Sequence, residues 1–201
     1  MNFIINGFKN LNSSEKEKNA KTYAKNIYHE KQKKELCALH SLNNLFQDNF
    51  YTKADLDQIC IELCPQEWLN PHRGILGRGN YNINIIIKAL HLRDHEAIWF
   101  DKRRSVSILN LSRIKGFILN IPSDYKIGGF IPLPWEKKHW IAVSKIEDFY
   151  FNLDSKLDEP ELIGDENKLI LFLENLIKSK DKELFIIVQK DVEIDSSWKL
   201  K

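Results

Sequence analysis

Gln32-Lys33-Lys34-Glu35-Leu36-Cys37-Ala38-Leu39-His40-Ser41-Leu42-Asn43-Asn44 is the stretch on which the reading of this chain turns. It is charged up to Glu35 and then takes a helical period. Leu36, Leu39, His40 and Asn43 recur at three and four residues, as do Leu42, Leu45 and Phe46. A helix beginning near Glu35 holds Cys37 in its first turn. Backbone N–H groups without helical partners and the positive end of the helix dipole favour an anion there. An ordinary thiol, with a pKa of about 8.5, is mostly protonated near neutral pH, so such a place suits a cysteine that works as thiolate. Taken alone, Cys37 also reads as one more small buried hydrophobe.

Gln32 sharpens the choice. Acyl transfer needs hydrogen-bond donors aimed at a tetrahedral oxyanion, and a side-chain amide with the nucleophile's own N–H is a recurrent solution. Working outward, residues 139–145 and 149–155 flank a tight connection and read as a β-hairpin. A two-residue turn at Ile146-Glu147 sets His139 directly opposite Asp154, with Cβ atoms about 4.5–5.5 Å apart. A turn shifted to Glu147-Asp148 keeps both on one face, one diagonal apart, whereas a three-residue loop reverses one face. On either two-residue register Asp154 accepts from one imidazole nitrogen of His139 and leaves the other for Cys37.

The remaining chain supports this inventory. Thr52 is placed to cap a second helix carrying Leu56, Ile59, Cys60, Leu63 and Cys64, which Pro65 ends. Residues 66–80, punctuated by Pro71, Gly74, Gly77 and Gly79, read as a loop and as the candidate flap beside the site. Asn80 or Asn82 caps a third helix through Ile83, Ile86, Ile87 and Leu90. Strand-like runs follow at 97–100, 116–121 and 184–188, and Asp165 caps a helix with Leu169, Phe172, Leu173 and Leu176. Helices first and strands second predict an α+β domain with a mostly antiparallel sheet. Residues 1–26, rich in Asn, Lys, Ser and Glu, read as a mobile extension, 27–192 as the domain, and 193–201 as a short polar tail with an outward Trp198.

Composition narrows the class. Thirty Lys and Arg against 28 Asp and Glu are too balanced for a nucleic-acid protein. Phe3-Ile4-Ile5 is too short for the apolar core of a leader, and no run approaches the roughly 20 residues of a membrane span. Three cysteines do not suggest a disulfide framework. A soluble, cytoplasmic monomer is expected, with the nucleus open to it and no obligatory membrane. One rival constellation exists: Cys37-x2-His40 with Cys60-x3-Cys64 supplies four potential zinc ligands, although both pairs sit inside helical patterns.

Beyond the Cys37 block, Leu69-Asn70-Pro71-His72-Arg73, Gly79-Asn80-Tyr81-Asn82-Ile83-Asn84, His139-Trp140 and Asn152-Leu153-Asp154-Ser155 complete a pattern that resembles the Josephin-domain deubiquitinases over residues 27–192. It looks most like the small stand-alone members, since the ataxin branch carries Asn where this chain has Asp154. The resemblance implies a papain-like cysteine protease fold acting at the C-terminal glycine of ubiquitin. It makes Cys37 the nucleophile, His139 the base and acid, Asp154 the orienting carboxylate and Gln32 the oxyanion donor. It implies ubiquitin and ubiquitinated proteins as partners and no metal or cofactor. Trp140 is expected to narrow the groove for a glycine-ended tail. A ubiquitin-binding module with weak catalysis is the alternative.

Overall fold

The computed structural model describes residues 22, 24–65, 79–123, 126, 127, 131, 132 and 137–200. Three helices lead. α1 (Cys37–Phe46) begins one or two residues later than expected, with Leu36 at its N-cap, and closes on Gln47 in the left-handed conformation at φ 59°. α2 (Lys53–Leu63) starts on a reciprocal cap in which Asp55 accepts the Thr52 N–H at 2.7 Å and Thr52 Oγ1 accepts from the Asp55 N–H. α3 (Ile83–His91) starts on Asn82, whose side chain accepts from the Asn84 N–H. Asn80 is not the cap. It sits at φ 60° and gives its N–H to the Glu35 carbonyl at 2.7 Å.

The sheet follows, with every pairing antiparallel. Its strands are β1 (His95–Trp99), β2 (Ile114–Ser123), β5 (Lys137–Ile146), β6 (Phe149–Asn152), β7 (Glu161–Gly164) and β8 (Glu183–Gln189), in the order β1-β8-β2-β5-β6-β7. A separate ribbon pairs β3 (Lys126–Ile127) with β4 (Ile131–Pro132). α4 (Glu166–Ile177) is capped by Asp165, which accepts the Lys168 N–H at 3.0 Å, and α5 (Lys190–Ile194) follows β8 directly.

Alternation along the strands splits the core in two. Ile118, Trp140, Ala142, Phe151 and Ile187 share a cluster with α1, α2 and α3, while Phe117, Leu119, Ile141, Val143, Ile186 and Val188 share one with α4 and α5. The arrangement is the expected α+β fold, with helices on both faces of an antiparallel sheet.

Two readings at the ends of the chain need correction. Trp198 is not outward: it is buried against the α4 and α5 cluster, and its carbonyl accepts the Asn110 N–H at 2.8 Å. At the other end Ala24 is already part of the core, next to Ile27. Residues 1–21 and most of the candidate flap, 66–78, lie outside the described residues. Gly79 is described, and it must be glycine. Its φ is +112°, and a Cβ there would stand 2.4 Å from the Glu35 carbonyl oxygen, two residues before Cys37.

Candidate active site

Cys37 is the first residue of α1, and no described side chain caps that helix start. The N-terminal N–H groups are therefore left facing the thiol's own end of the helix, the place most favourable to a thiolate or an oxyanion. α1 packs on β5, which brings His139 to it.

The hairpin delivers the partner of His139 by the second of the two registers. Val143 faces Asn152 and Ile146 faces Phe149, so the turn is Glu147-Asp148 and not Ile146-Glu147. The reason is steric. A tight hairpin turn opens on a residue with positive φ, which Glu147 adopts at 54° and β-branched Ile146 would resist. His139 and Asp154 consequently meet across a diagonal, with Nε2 to Oδ1 at 2.6 Å. With Nε2 engaged, Nδ1 is the ring nitrogen left over, and Cys37 lies near enough to act on the His139 charge. Burial by itself lowers the His139 pKa, but the hydrogen bond to Asp154 and the influence of Asp154 and Cys37 on its charge outweigh it and hold the imidazole above its usual range. Burial likewise raises Asp154. The bond to His139, the Lys156 N–H and the two positive charges overcome that and leave its carboxyl below the usual range.

β6 ends at Asn152, and the Asp154 turn that follows is held at its start by the Leu153 N–H on the Ala142 carbonyl at 2.8 Å and within itself by the Leu157 N–H on the Asp154 carbonyl at 3.0 Å. Further support comes from residues 28–32 and from α1. The carbonyls of three successive residues are each taken: Leu153 by the Asn44 side-chain amide at 3.0 Å, Asp154 by His29 Nε2 at 2.9 Å, and Ser155 by the Gln32 N–H at 2.6 Å. The segment 28–32 is itself tied to α1. Asn44 Oδ1 accepts the Glu30 N–H at 2.7 Å, Asn43 Nδ2 donates to Glu30 Oε1 at 2.9 Å, and His40 Nδ1 meets Glu30 Oε2 at 2.6 Å. His40 Nε2 accepts the Lys33 N–H, so the ring's proton lies on Nδ1 and is given to Glu30. Burial raises Glu30, and the bonds from His40, Tyr28 and Asn43 bring it below its usual range all the same.

A family model described as Josephin matches residues 32–188, most of the chain, with Cys37, His139 and Asp154 inside the match. The chain belongs to the Josephin family. A Josephin-like protein of Drosophila melanogaster is 47% identical over 168 residues, covering 83% of this chain and 76% of that one. Human Josephin-2 is 42% identical over 172 residues, covering 86% and 91%. Human Ataxin-3 is more distant, at 29% over 182 residues, with 45% of its own length matched. The family is known for cysteine protease and deubiquitinase activity.

Within this Josephin domain the four residues singled out from sequence stand differently. Cys37, His139 and Asp154 are brought together, His139 hydrogen-bonded to Asp154 and electrostatically coupled to Cys37. Gln32 is brought alongside through its backbone, but its side-chain Nε2 donates to the Lys34 carbonyl at 3.0 Å. Its Oε1 is buried and, like Ser155 Oγ, finds no partner among the described residues. Trp140 is buried in the cluster with α1, α2 and α3, where it donates its indole N–H to the Tyr81 carbonyl at 3.0 Å and packs near Phe185. The rival zinc set is not gathered. Among the described residues no three His, Cys, Asp or Glu side chains converge as metal ligands, and Cys60 is buried in α2. Sequence reasoning missed His29. Its contact spans 125 positions, and no local spacing announces it.

Proposed function

We propose that the protein is a cysteine-type deubiquitinase that hydrolyses isopeptide or peptide bonds at the C-terminal glycine of ubiquitin. The observation that carries the reading is the single line from an uncapped helix start through Cys37 and His139 to Asp154. Cys37 thiolate adds to the glycine carbonyl, with the oxyanion held by the Cys37 N–H and the Gln32 amide. His139, oriented by Asp154, gives its proton to the leaving lysine amine as the thioester forms. It then takes a proton from the water that releases free ubiquitin and returns the thiol. Thiol chemistry of this kind asks for no metal or cofactor. The same reading has a monomer working in the cytoplasm on ubiquitin and ubiquitinated proteins.

A second reading, a ubiquitin-binding module whose catalysis is latent, is favoured by two observations. Cys37 is only 6% exposed and His139 2%, and the Gln32 amide nitrogen faces Lys34. Cleavage of a fluorogenic ubiquitin C-terminal amide by the full chain separates the two. Turnover that disappears in Cys37→Ala supports the enzyme. Saturable ubiquitin binding without turnover overturns it in favour of the module.

A further inference from the structure

His29 is a histidine that the proposed chemistry does not use, yet it reaches the reacting line at one remove. A carbonyl only accepts, so the 2.9 Å contact from His29 Nε2 to the Asp154 oxygen requires the ring proton on Nε2. That bond holds the main chain of the one residue whose carboxylate must stay 2.6 Å from His139. It is also the middle of three: Asn44 takes the carbonyl before it and the Gln32 N–H takes the carbonyl after it. Past Asn152 the sheet keeps one bond, from the Leu153 N–H to the Ala142 carbonyl at 2.8 Å, and the Leu157 N–H closes the turn on the Asp154 carbonyl at 3.0 Å; the bond from His29 ties that turn to the segment before α1.

We propose that His29 is a positioning residue, which fixes Asp154 against His139 and, three residues along the same segment, keeps Gln32 docked on Ser155. The proposal rests on the function proposed above only for its effect on turnover. Its effect on the thiol stands apart. Without His29, the Asp154 carboxylate is no longer held on the imidazole, the imidazolium loses support, and His139 is a weaker partner for the Cys37 thiol. The titratable groups acting on His139 are Cys37 from α1 and Asp154 from the turn after β6, Lys156 acts on Asp154, and each is unchanged by the substitution.

The test is alkylation of Cys37 by iodoacetamide as a function of pH, followed at the Cys37 peptide by mass spectrometry. It compares wild type, His29→Ala, His29→Gln and Asp154→Asn. Gln carries an amide N–H at nearly the reach of Nε2. His29→Ala is expected to slow alkylation about tenfold or more near pH 6.5 and to converge on wild type near about pH 9.5, above the range in which an imidazolium partner persists. Asp154→Asn should show the same pattern, and His29→Gln should restore most of the rate at the lower pH. In ubiquitin-amide turnover His29→Ala should lower kcat with little change in KM. The proposal is overturned by wild-type alkylation of His29→Ala at every pH. It is equally overturned by a uniform loss at all pH that His29→Gln does not repair, since that is the signature of a merely structural role. Wild-type protein that alkylates as expected but leaves ubiquitin conjugates intact would sink the proposed function and not this assignment.

Discussion

The two faces of the central sheet are held by different forces. Toward α4 and α5, Leu169, Leu173, Leu176, Val192 and Trp198 close over Phe117, Leu119, Ile141, Val143 and Val188 in an apolar cluster. Toward α1 the packing is interrupted by buried Asn43, Asn44 and His40, which with Glu30 form a polar network reaching the Asp154 turn. Apolar burial is strong but has no direction, so it decides whether the domain folds and tolerates small shifts. Hydrogen bonds between fully paired buried groups add less net stability, yet they fix distances. The face that carries the candidate site uses the second kind where position matters.

This contrast can be broken at either face. Leu173→Ala, at a fully buried position, should cost about 2–5 kcal/mol in denaturant unfolding. Cys37 alkylation in the fraction still folded should be unchanged, and a changed thiol would mean that the two faces are not independent. Asn44→Ala strands the Glu30 N–H and the Leu153 carbonyl. It should cost less stability, about 1–3 kcal/mol, while Cys37 reactivity near neutral pH falls markedly. Equal losses in stability and reactivity would remove the distinction.

The smallest expected effect is a pH dependence. The raised His139 pKa gives stabilisation that is complete below the ordinary imidazole range and is lost as pH rises through the folded value. The lowered Asp154 pKa gives stabilisation that is present above the ordinary carboxylate range and is lost as pH falls through its folded value. The stability gap between wild type and Asp154→Asn should therefore be widest between about pH 4 and about pH 6.5 and narrow on both sides. A gap independent of pH would mean that the pair contributes through packing alone.

How much of this was legible in the sequence follows the same division. The period of α1, the Thr52 and Asp165 caps and the apolar runs of β2 and β8 are local signals, and the structure carries each of them. The His139–Asp154 pair survived a misplaced turn because either two-residue turn keeps the same parity, whereas the turn position depended on which residue accepts positive φ. Trp198, Trp140 and His29 escaped for another reason. Each is defined by a partner far away in the chain: Asn110 and the α4 cluster, Tyr81, and Asp154. A lone Trp in a polar tail, or a lone His eight residues before Cys37, has no periodicity to reveal such a partner. The short strand β7, four residues between Pro160 and Asp165, is likewise too brief to stand out.

The central claim is that Cys37 is a nucleophile built for the ubiquitin C-terminus, and ubiquitin carrying a thiol-reactive group at that end tests it most directly. Incubated with wild type, Cys37→Ala, Cys60→Ala and His139→Ala, the probe should label wild type and Cys60→Ala alike, label His139→Ala slowly and leave Cys37→Ala unmodified. Labelling that persists in Cys37→Ala, or wild type that neither labels nor binds ubiquitin, would contradict the account.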